Sequence, residues 1–350
     1  MKALAQMALT PGMTLGEDVV DNGNVLIPAD TVLNEGLIEL LKRYSIMCVT
    51  VKEDADLAKT HNEMIRLSDG FKSFAQKHAD NLQIYKKLCT SLVKSGTAIP
   101  DEALMAIYND ISTTYGNGIE LLSFLYNLMP NEDELTFNHC LNSALLGGTF
   151  ADWSNMTPED KKTLILSCFY YDIGKLKLPY ELLWKPGKLS DEEYNEVKKH
   201  PVIGYALLNS VSIDQHIKNV VIMHHERMDG SGYPYHMKGT RIDLFARYVA
   251  IIDTYTAMAS PRAYRLALTP LQIIGHFEAN MPQYDTELLL PLMQRIADAQ
   301  IGTTVQLSDD TVWNIFLIHP GRLSRPVLKN EKNEFLDLEE NPQLEIVKNL

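Results

Sequence analysis

Cysteine is scarce in this chain: four residues in 350, Cys48, Cys89, Cys140 and Cys168, with no CxxC pair among them. That excludes a disulfide framework and a zinc ribbon, and all four are expected as small buried residues in a reducing compartment. Long apolar runs are missing as well. No stretch approaches the about 18 apolar residues of a membrane span, and the first residues lack the apolar core of a secretory signal. No membrane association is expected, and the expected location is the cytoplasm. Positive charge is also in short supply, with 32 Lys and Arg against 45 Asp and Glu for a net charge of -13. With no basic run longer than a pair, a sequence-independent surface for DNA or RNA and an anchor on anionic lipid are both excluded. Internal repeats and low-complexity linkers are absent.

What is present is apolar material enough for one large domain with appendages, or for two, at 45% hydrophobic and 22% charged residues. Residues 1–53 carry turn signals at Pro11-Gly12 and Asn22-Gly23-Asn24 around short apolar runs such as Val25-Leu26-Ile27. This predicts strands and one helix near residues 37–44. Over residues 54–130 the spacing becomes helical, with Met64, Phe71, Phe74, Leu121, Leu122, Leu125 and Leu128 marking apolar faces. These stripes are core, or the seam of a homodimer or signalling region, and Pro100 and Pro130 break the helices. Residues 131–299 stay helical and hold every chemically suggestive side chain. After Gly302 the alternation of strands returns, in residues 304–307 and 312–318, making residues 300–350 a β-rich extension. The fold class is mainly α with small β-rich ends.

Adjacent histidines, His224-His225, are unusual in a helical context, because neighbouring helix positions point about 100° apart and cannot face one core. They predict a helix terminus where both rings turn to one centre. The segment that follows, Asp229-Gly230-Ser231-Gly232-Tyr233-Pro234, is turn chemistry, with glycines for unusual backbone angles and a proline fixing an exposed tyrosine loop. Asp172, in Tyr170-Tyr171-Asp172-Ile173-Gly174-Lys175, and Asp253, in Ile251-Ile252-Asp253-Thr254-Tyr255, are single carboxylates in apolar helical stretches. Each must be paired, hydrogen-bonded by Arg or helix N–H groups, or bound to a cation. His139 and His200 are less distinctive, and His200 before Pro201 reads as a helix end. Imidazoles with carboxylates suit Mn, Fe, Ni or Zn, and an Asp shared by two cations suits hydrolysis of a phosphoester.

The order of these motifs resembles the HD-GYP family, a branch of the HD superfamily of metal-dependent phosphohydrolases whose members characteristically hydrolyse cyclic di-GMP. The resemblance runs from about Asn131 to Ala299. It takes in Phe137-Asn138-His139-Cys140, Tyr171-Asp172-Ile173-Gly174-Lys175, Lys185-Pro186-Gly187-Lys188-Leu189, Lys199-His200-Pro201, the His-His…Gly-Tyr-Pro segment and Ser260-Pro261-Arg262-Ala263-Tyr264-Arg265. It implies an HD-type helical bundle holding two divalent ions, Fe or Mn foremost and Ni or Zn as alternatives. His139, Asp172 and Asp253 would bind one, and Asp172, His200, His224 and His225 the other, with Asp172 as the bridge. Lys175 would contact the scissile phosphate, Arg262 and Arg265 the ligand phosphates, and Tyr233 would lie close to the substrate. One position departs. Where the family has His-Asp this chain has Tyr171-Asp172, which removes one imidazole from the first cation, leaves that position partly occupied and puts activity in question. Leu135, one turn before His139, disfavours a third metal, and Thr256 replaces an acidic residue common in the family.

Two functions follow from the resemblance. One is a bacterial signalling phosphodiesterase that opens cyclic di-GMP to pGpG and on to GMP. The other is a catalytically impaired receptor that uses the same pocket to bind cyclic di-GMP. A different phosphoester is disfavoured by the intact Gly-Tyr-Pro loop.

Overall fold

Strand alternation organises the first of the two units into which the chain divides, residues 1–69 and 70–350; the computed structural model describes residues 1–21, 24–29, 31–52, 61–128, 134–183, 185, 188–260 and 267–350. In the first unit β1 (Lys2–Ala5) is followed by the antiparallel pair β2 (Val19–Asp21) and β3 (Asn24–Ile27). Helix α1 (Glu35–Arg43) leads to β4 (Cys48–Val51), which pairs antiparallel with β1. The helix starts before the expected residue 37 because the Asn34 side chain accepts the Leu37 N–H at 2.9 Å, an N-cap that satisfies one of the orphan donors. Leu15, Ile27, Leu33, Leu41, Val49 and Val51 form its apolar centre. Cys48 corrects the expectation of four buried cysteines: it is exposed, whereas the other three are buried. The reason is the pleat, since the inward positions of β4 belong to Val49 and Val51. A short helix α2 (His61–Leu67) follows.

The second unit is helical at its centre. Helices α3 (Asp69–Ser95), α4 (Asp101–Ser112) and α5 (Gly118–Asn127) lie within the stretch read as helical, of which residues 54–60 and 129–130 are outside the described residues. Pro100 stands at the N-cap of α4, where a missing N–H costs nothing, and Pro130 lies outside the described residues. Helix α6 (Leu135–Trp153) is buried throughout residues 140–151, as befits the central helix of a bundle. Gly147 lets α7 (Pro158–Tyr170) approach closely, because a Cβ there would lie 2.9 Å from the Cys168 sulfur. Short helices α8 (Tyr180–Leu183) and α9 (Asp191–Val197) lead to α10 (His200–Asn209), α11 (Gln215–Met223), α12 (Leu244–Ala259), α13 (Pro270–Ala279) and α14 (Thr286–Asp298). Side chains cap most of these starts: Ser190 and Glu193 make a capping box on α9, Thr269 and Gln272 another on α13, and Asp214, Asp243 and Asp285 cap α11, α12 and α14.

The chain closes with strands β5 (Thr304–Leu307), β6 (Val312–His319), β7 (Arg322–Lys329), β8 (Phe335–Asp337) and β9 (Ile346–Asn349), in the antiparallel order β8-β7-β6-β5-β9. The Glu278 carboxylate of α13 accepts the Ser324 backbone N–H at 3.3 Å and the Ser324 hydroxyl, tying β7 to the helices. Among the described residues no helix is long and apolar enough to cross a membrane.

Candidate metal centre

Five separate elements deliver polar side chains to one point in the second unit. Helix α7 ends at Tyr170, Tyr171 is its C-cap, and Asp172 sits in the turn before a 3-10 segment (Ile173–Lys177). Asp172 is therefore not inside an α-helix, as its apolar neighbours suggested. The short neighbour Gly174 makes the next step feasible, because a Cβ there would strike the His200 carbonyl and lie 2.7 Å from the Gly204 nitrogen. The 3-10 segment thus packs backbone to backbone on the start of α10 and sets His200 beside Asp172. His224 is the C-cap of α11, with His225 just beyond it. The helix-terminus reading of the His pair holds in this geometry, and the ring centroids lie 4.2 Å apart. His139 projects from α6 and Asp253 from α12.

The donor atoms of Asp172, His200, His224 and His225 all lie within 4.8 Å of one another, and those of His139, Asp172 and Asp253 do likewise. His200 Nδ1 faces the Val197 carbonyl at 2.7 Å, and His224 Nδ1 faces the carbonyls of Val220 and Val221 at 3.2 and 3.1 Å. A neutral imidazole that donates from Nδ1 keeps its lone pair on Nε2. The two Nε2 atoms face each other at 3.2 Å, and Asp172 Oδ1 stands 3.2 and 3.7 Å from them, buried and without a hydrogen-bond partner. Converging lone pairs and an orphaned buried carboxylate oxygen are unfavourable unless a cation lies between them. The donor set therefore fits a divalent metal.

Electrostatics separate the two sides of the centre. Burial works against the Asp172 carboxylate, but Lys175, whose ammonium donates to Oδ2 at 2.6 Å, together with His200 and His224 outweighs it and holds the carboxyl well below its usual range. Burial likewise works against the Asp253 carboxylate, and the 2.8 Å contact with His139 Nε2 overcomes it. Burial lowers His200 and, with His224 beside it, pushes His225 well below the ordinary imidazole value, so both rings stay neutral and ready to ligate. The Tyr171 phenol is fully buried. Its hydroxyl meets Ser143 Oγ at 3.0 Å, and its ring lies between those of His139 and His224, at 5.8 and 5.0 Å. Burial, then Asp253 and Asp172, push the phenol well above its ordinary value.

Tyr233 is half-buried rather than exposed, because its ring stacks on His225 at 4.7 Å and 24°. Lys198 reaches over the outer side, with its ammonium 5.4 Å from the Tyr233 ring and 4.6 Å from that of Tyr194. Glu226 was missed in the sequence. It is 2% exposed, and its carboxylate accepts the backbone N–H groups of Tyr235 at 2.7 Å and Met237 at 2.9 Å, pinning the Gly-Tyr-Pro loop over the centre. An acidic residue placed directly after the His pair, ahead of a loop rich in unpaired N–H groups, is the signal that could have found it. Thr256 is buried on α12, and its hydroxyl has no hydrogen-bond partner. Arg262 and Arg265 lie outside the described residues.

Residues 125–288 match the family model described as HD domain. The cyclic di-GMP phosphodiesterase response regulator RpfG of Xanthomonas campestris is 33% identical over 180 residues, 51% of this chain and 47% of that protein. The 3'3'-cGAMP-specific phosphodiesterase 1 of Vibrio cholerae is 33% identical over 177 residues, 49% of this chain and 41% of that protein. The chain thus spans about half the length, or less, of these curated relatives. A solved structure, Bd1817, an HDG"Y"P protein from Bdellovibrio bacteriovorus, aligns at a TM-score of 0.47 and 16% identity over 85% of this chain and 98% of that one.

Proposed function

Residues 125–288 belong to the HD family, in its HD-GYP branch, and from that premise we propose that the chain is a metal-dependent phosphodiesterase that hydrolyses cyclic di-GMP to pGpG and on to GMP. The observation that carries this reading is the pair of facing Nε2 atoms 3.2 Å apart beside the orphaned Asp172 Oδ1. Asp172, His200, His224 and His225 would hold the principal cation, Fe or Mn by donor type, and His139 and Asp253 stand at the second position the family implies, one imidazole short because of Tyr171. A divalent ion bound there supplies Lewis acidity and lowers the pKa of water at a phosphodiester.

The chain's own residues do the rest. Carbonyl contacts at Nδ1 fix the orientation and tautomer of His200 and His224 before substrate arrives. The Lys175 ammonium sits at the carboxylate and is the cationic group placed to meet a scissile phosphate. Tyr233, backed by His225 and faced by Lys198, forms a wall of ring and positive charge suited to an anionic nucleotide. Glu226 holds that wall in place. Cyclic di-GMP is a bacterial cytosolic messenger, and the reading accordingly places the chain in the cytoplasm.

Tyr171 favours a second reading, a receptor that binds the same ligand without turning it over. The deciding experiment incubates purified chain with cyclic di-GMP, and in parallel with 3'3'-cGAMP, in the presence of Mn(II) or Fe(II). Metal-dependent release of linear dinucleotide supports the hydrolase. Calorimetric binding without turnover supports the receptor, and absence of both rejects cyclic dinucleotides altogether.

A further inference from the structure

The two oxygens of Asp172 face different surroundings. Oδ1 looks onto His200 and His224 and has no hydrogen-bond partner. Oδ2 is already taken by the Lys175 ammonium at 2.6 Å, with His139 Nε2 further off at 3.9 Å. Beyond Oδ2, the remaining donors of the first position are His139 and Asp253, and these two are bound to each other at 2.8 Å. The fourth donor of that position is replaced by Tyr171. Its hydroxyl reaches to Ser143 Oγ, one turn beyond His139 on α6, at 3.0 Å. The ring fills the space between the His139 and His224 rings.

We propose that this chain binds a single divalent cation, on the Oδ1 side of Asp172 with His200, His224 and His225, and that the Lys175 ammonium takes the place of the second cation on the Oδ2 side. The inference deepens the metal-centre reading and rests on it. A mononuclear site has a complete set of one carboxylate oxygen and three imidazoles, enough for the coordination of Mn, Fe or Zn with positions left for water or phosphate. The Oδ2 side offers the opposite: two carboxylates, one imidazole and a resident positive charge that a doubly charged ion would have to displace or tolerate. Lys175 supplies part of the charge that a second ion would bring to the phosphate, as a fixed group tied to Asp172.

The test counts ions and is independent of turnover. Metal-free full-length chain is loaded with excess Mn(II), desalted, and measured by plasma mass spectrometry and by electron paramagnetic resonance. About one Mn(II) per chain with the spectrum of an isolated ion is expected. Tyr171→His is expected to rise to about two with a spin-coupled spectrum. If that variant fails to fold, Asp253→Asn and His225→Ala decide the location: the first should keep the ion and the second should lose most of it. Two ions with a coupled spectrum in the native chain, no retained ion at all, or loss of the ion in Asp253→Asn with retention in His225→Ala would each overturn the proposal. A chain that holds one ion but hydrolyses no cyclic dinucleotide leaves the count standing and removes only the hydrolase reading; turnover with two ions does the reverse.

Discussion

Replacing Glu226 by Ala tests whether the Gly-Tyr-Pro loop is held from below by one carboxylate. In the native chain that group accepts two backbone N–H bonds, from Tyr235 at 2.7 Å and Met237 at 2.9 Å. Hydrogen bonds to a charged acceptor contribute about 1.5–3 kcal/mol each, and the donors left behind add a desolvation cost when they stay dry. Both donors are only partly buried, so water recovers some of this and the net cost is about 2–4 kcal/mol. In a unit of this size about 1 kcal/mol moves the melting midpoint by about 2–4 °C, so a fall of roughly 4–16 °C is expected. Tyr233 should leave its stack on His225, lowering kcat/KM on a cyclic dinucleotide together with the midpoint. Glu226→Gln keeps one carbonyl acceptor and should fall between native and Ala in both measurements. Thermal melts and steady-state kinetics on the three proteins decide it. An Ala variant that melts within about 1 °C of native and turns over substrate at the native rate would sink the argument that Glu226 organises the loop.

Two further perturbations follow from buried contacts. His78 is 2% exposed and pairs with Asn142 Oδ1 at 2.7 Å, and burial lowers its pKa from 6.5 to about 4. The unfolded chain protonates this ring first as pH falls, so stability present above about pH 6.5 drains away down to about pH 4, by about 3 kcal/mol in all. Urea titrations at pH 7 and pH 4.5 should show that loss in native protein and much less of it in His78→Gln. Gly174→Ala would drive a Cβ into the backbone of α10. An overpacking cost of about 1–3 kcal/mol, expressed as separation of Asp172 from His200, predicts Mn(II) binding weaker by about 10- to 100-fold in calorimetry. Unchanged affinity would mean that the 3-10 segment does not need this close approach.

What could be read from the sequence was whatever local geometry imposes. Two neighbouring histidines cannot share one helix face, so His224 and His225 had to mark a helix end, and His224 is the C-cap of α11. The alternation of residues 312–318 falls within β6. What could not be read depends on long-range approach. The turn at Asp172 owes its form to Gly174 meeting a helix that begins at His200, which no local pattern around Tyr171-Asp172 signals. Cys48 was misplaced because composition alone does not tell which face of a strand points inward. Glu226 escaped notice because its partners are backbone groups nine and eleven residues ahead.

The consequence of Tyr171 depends on how each side of the centre is anchored. The Oδ1 side is fixed by main chain: carbonyls of Val197, Val220 and Val221 aim the two rings, and the Gly174 contact sets His200 beside Asp172. The Oδ2 side is fixed by side chains alone, through His139 with Asp253, Lys175 with Asp172, and Tyr171 with Ser143. A change at position 171 therefore bears on the second set through Ser143 and His139, and touches the first only through ring contact with His224, whose Nδ1 is held by main-chain carbonyls. The phenol occupies the space between two imidazole rings and finds its hydrogen bond in Ser143, so the buried hydroxyl is satisfied and the bundle closes around it. The substitution is thus compatible with an intact fold and an intact three-histidine site. Its main effect falls on the charge and ligand count at Oδ2 of Asp172, which is where binding of a cyclic dinucleotide and its hydrolysis would part company.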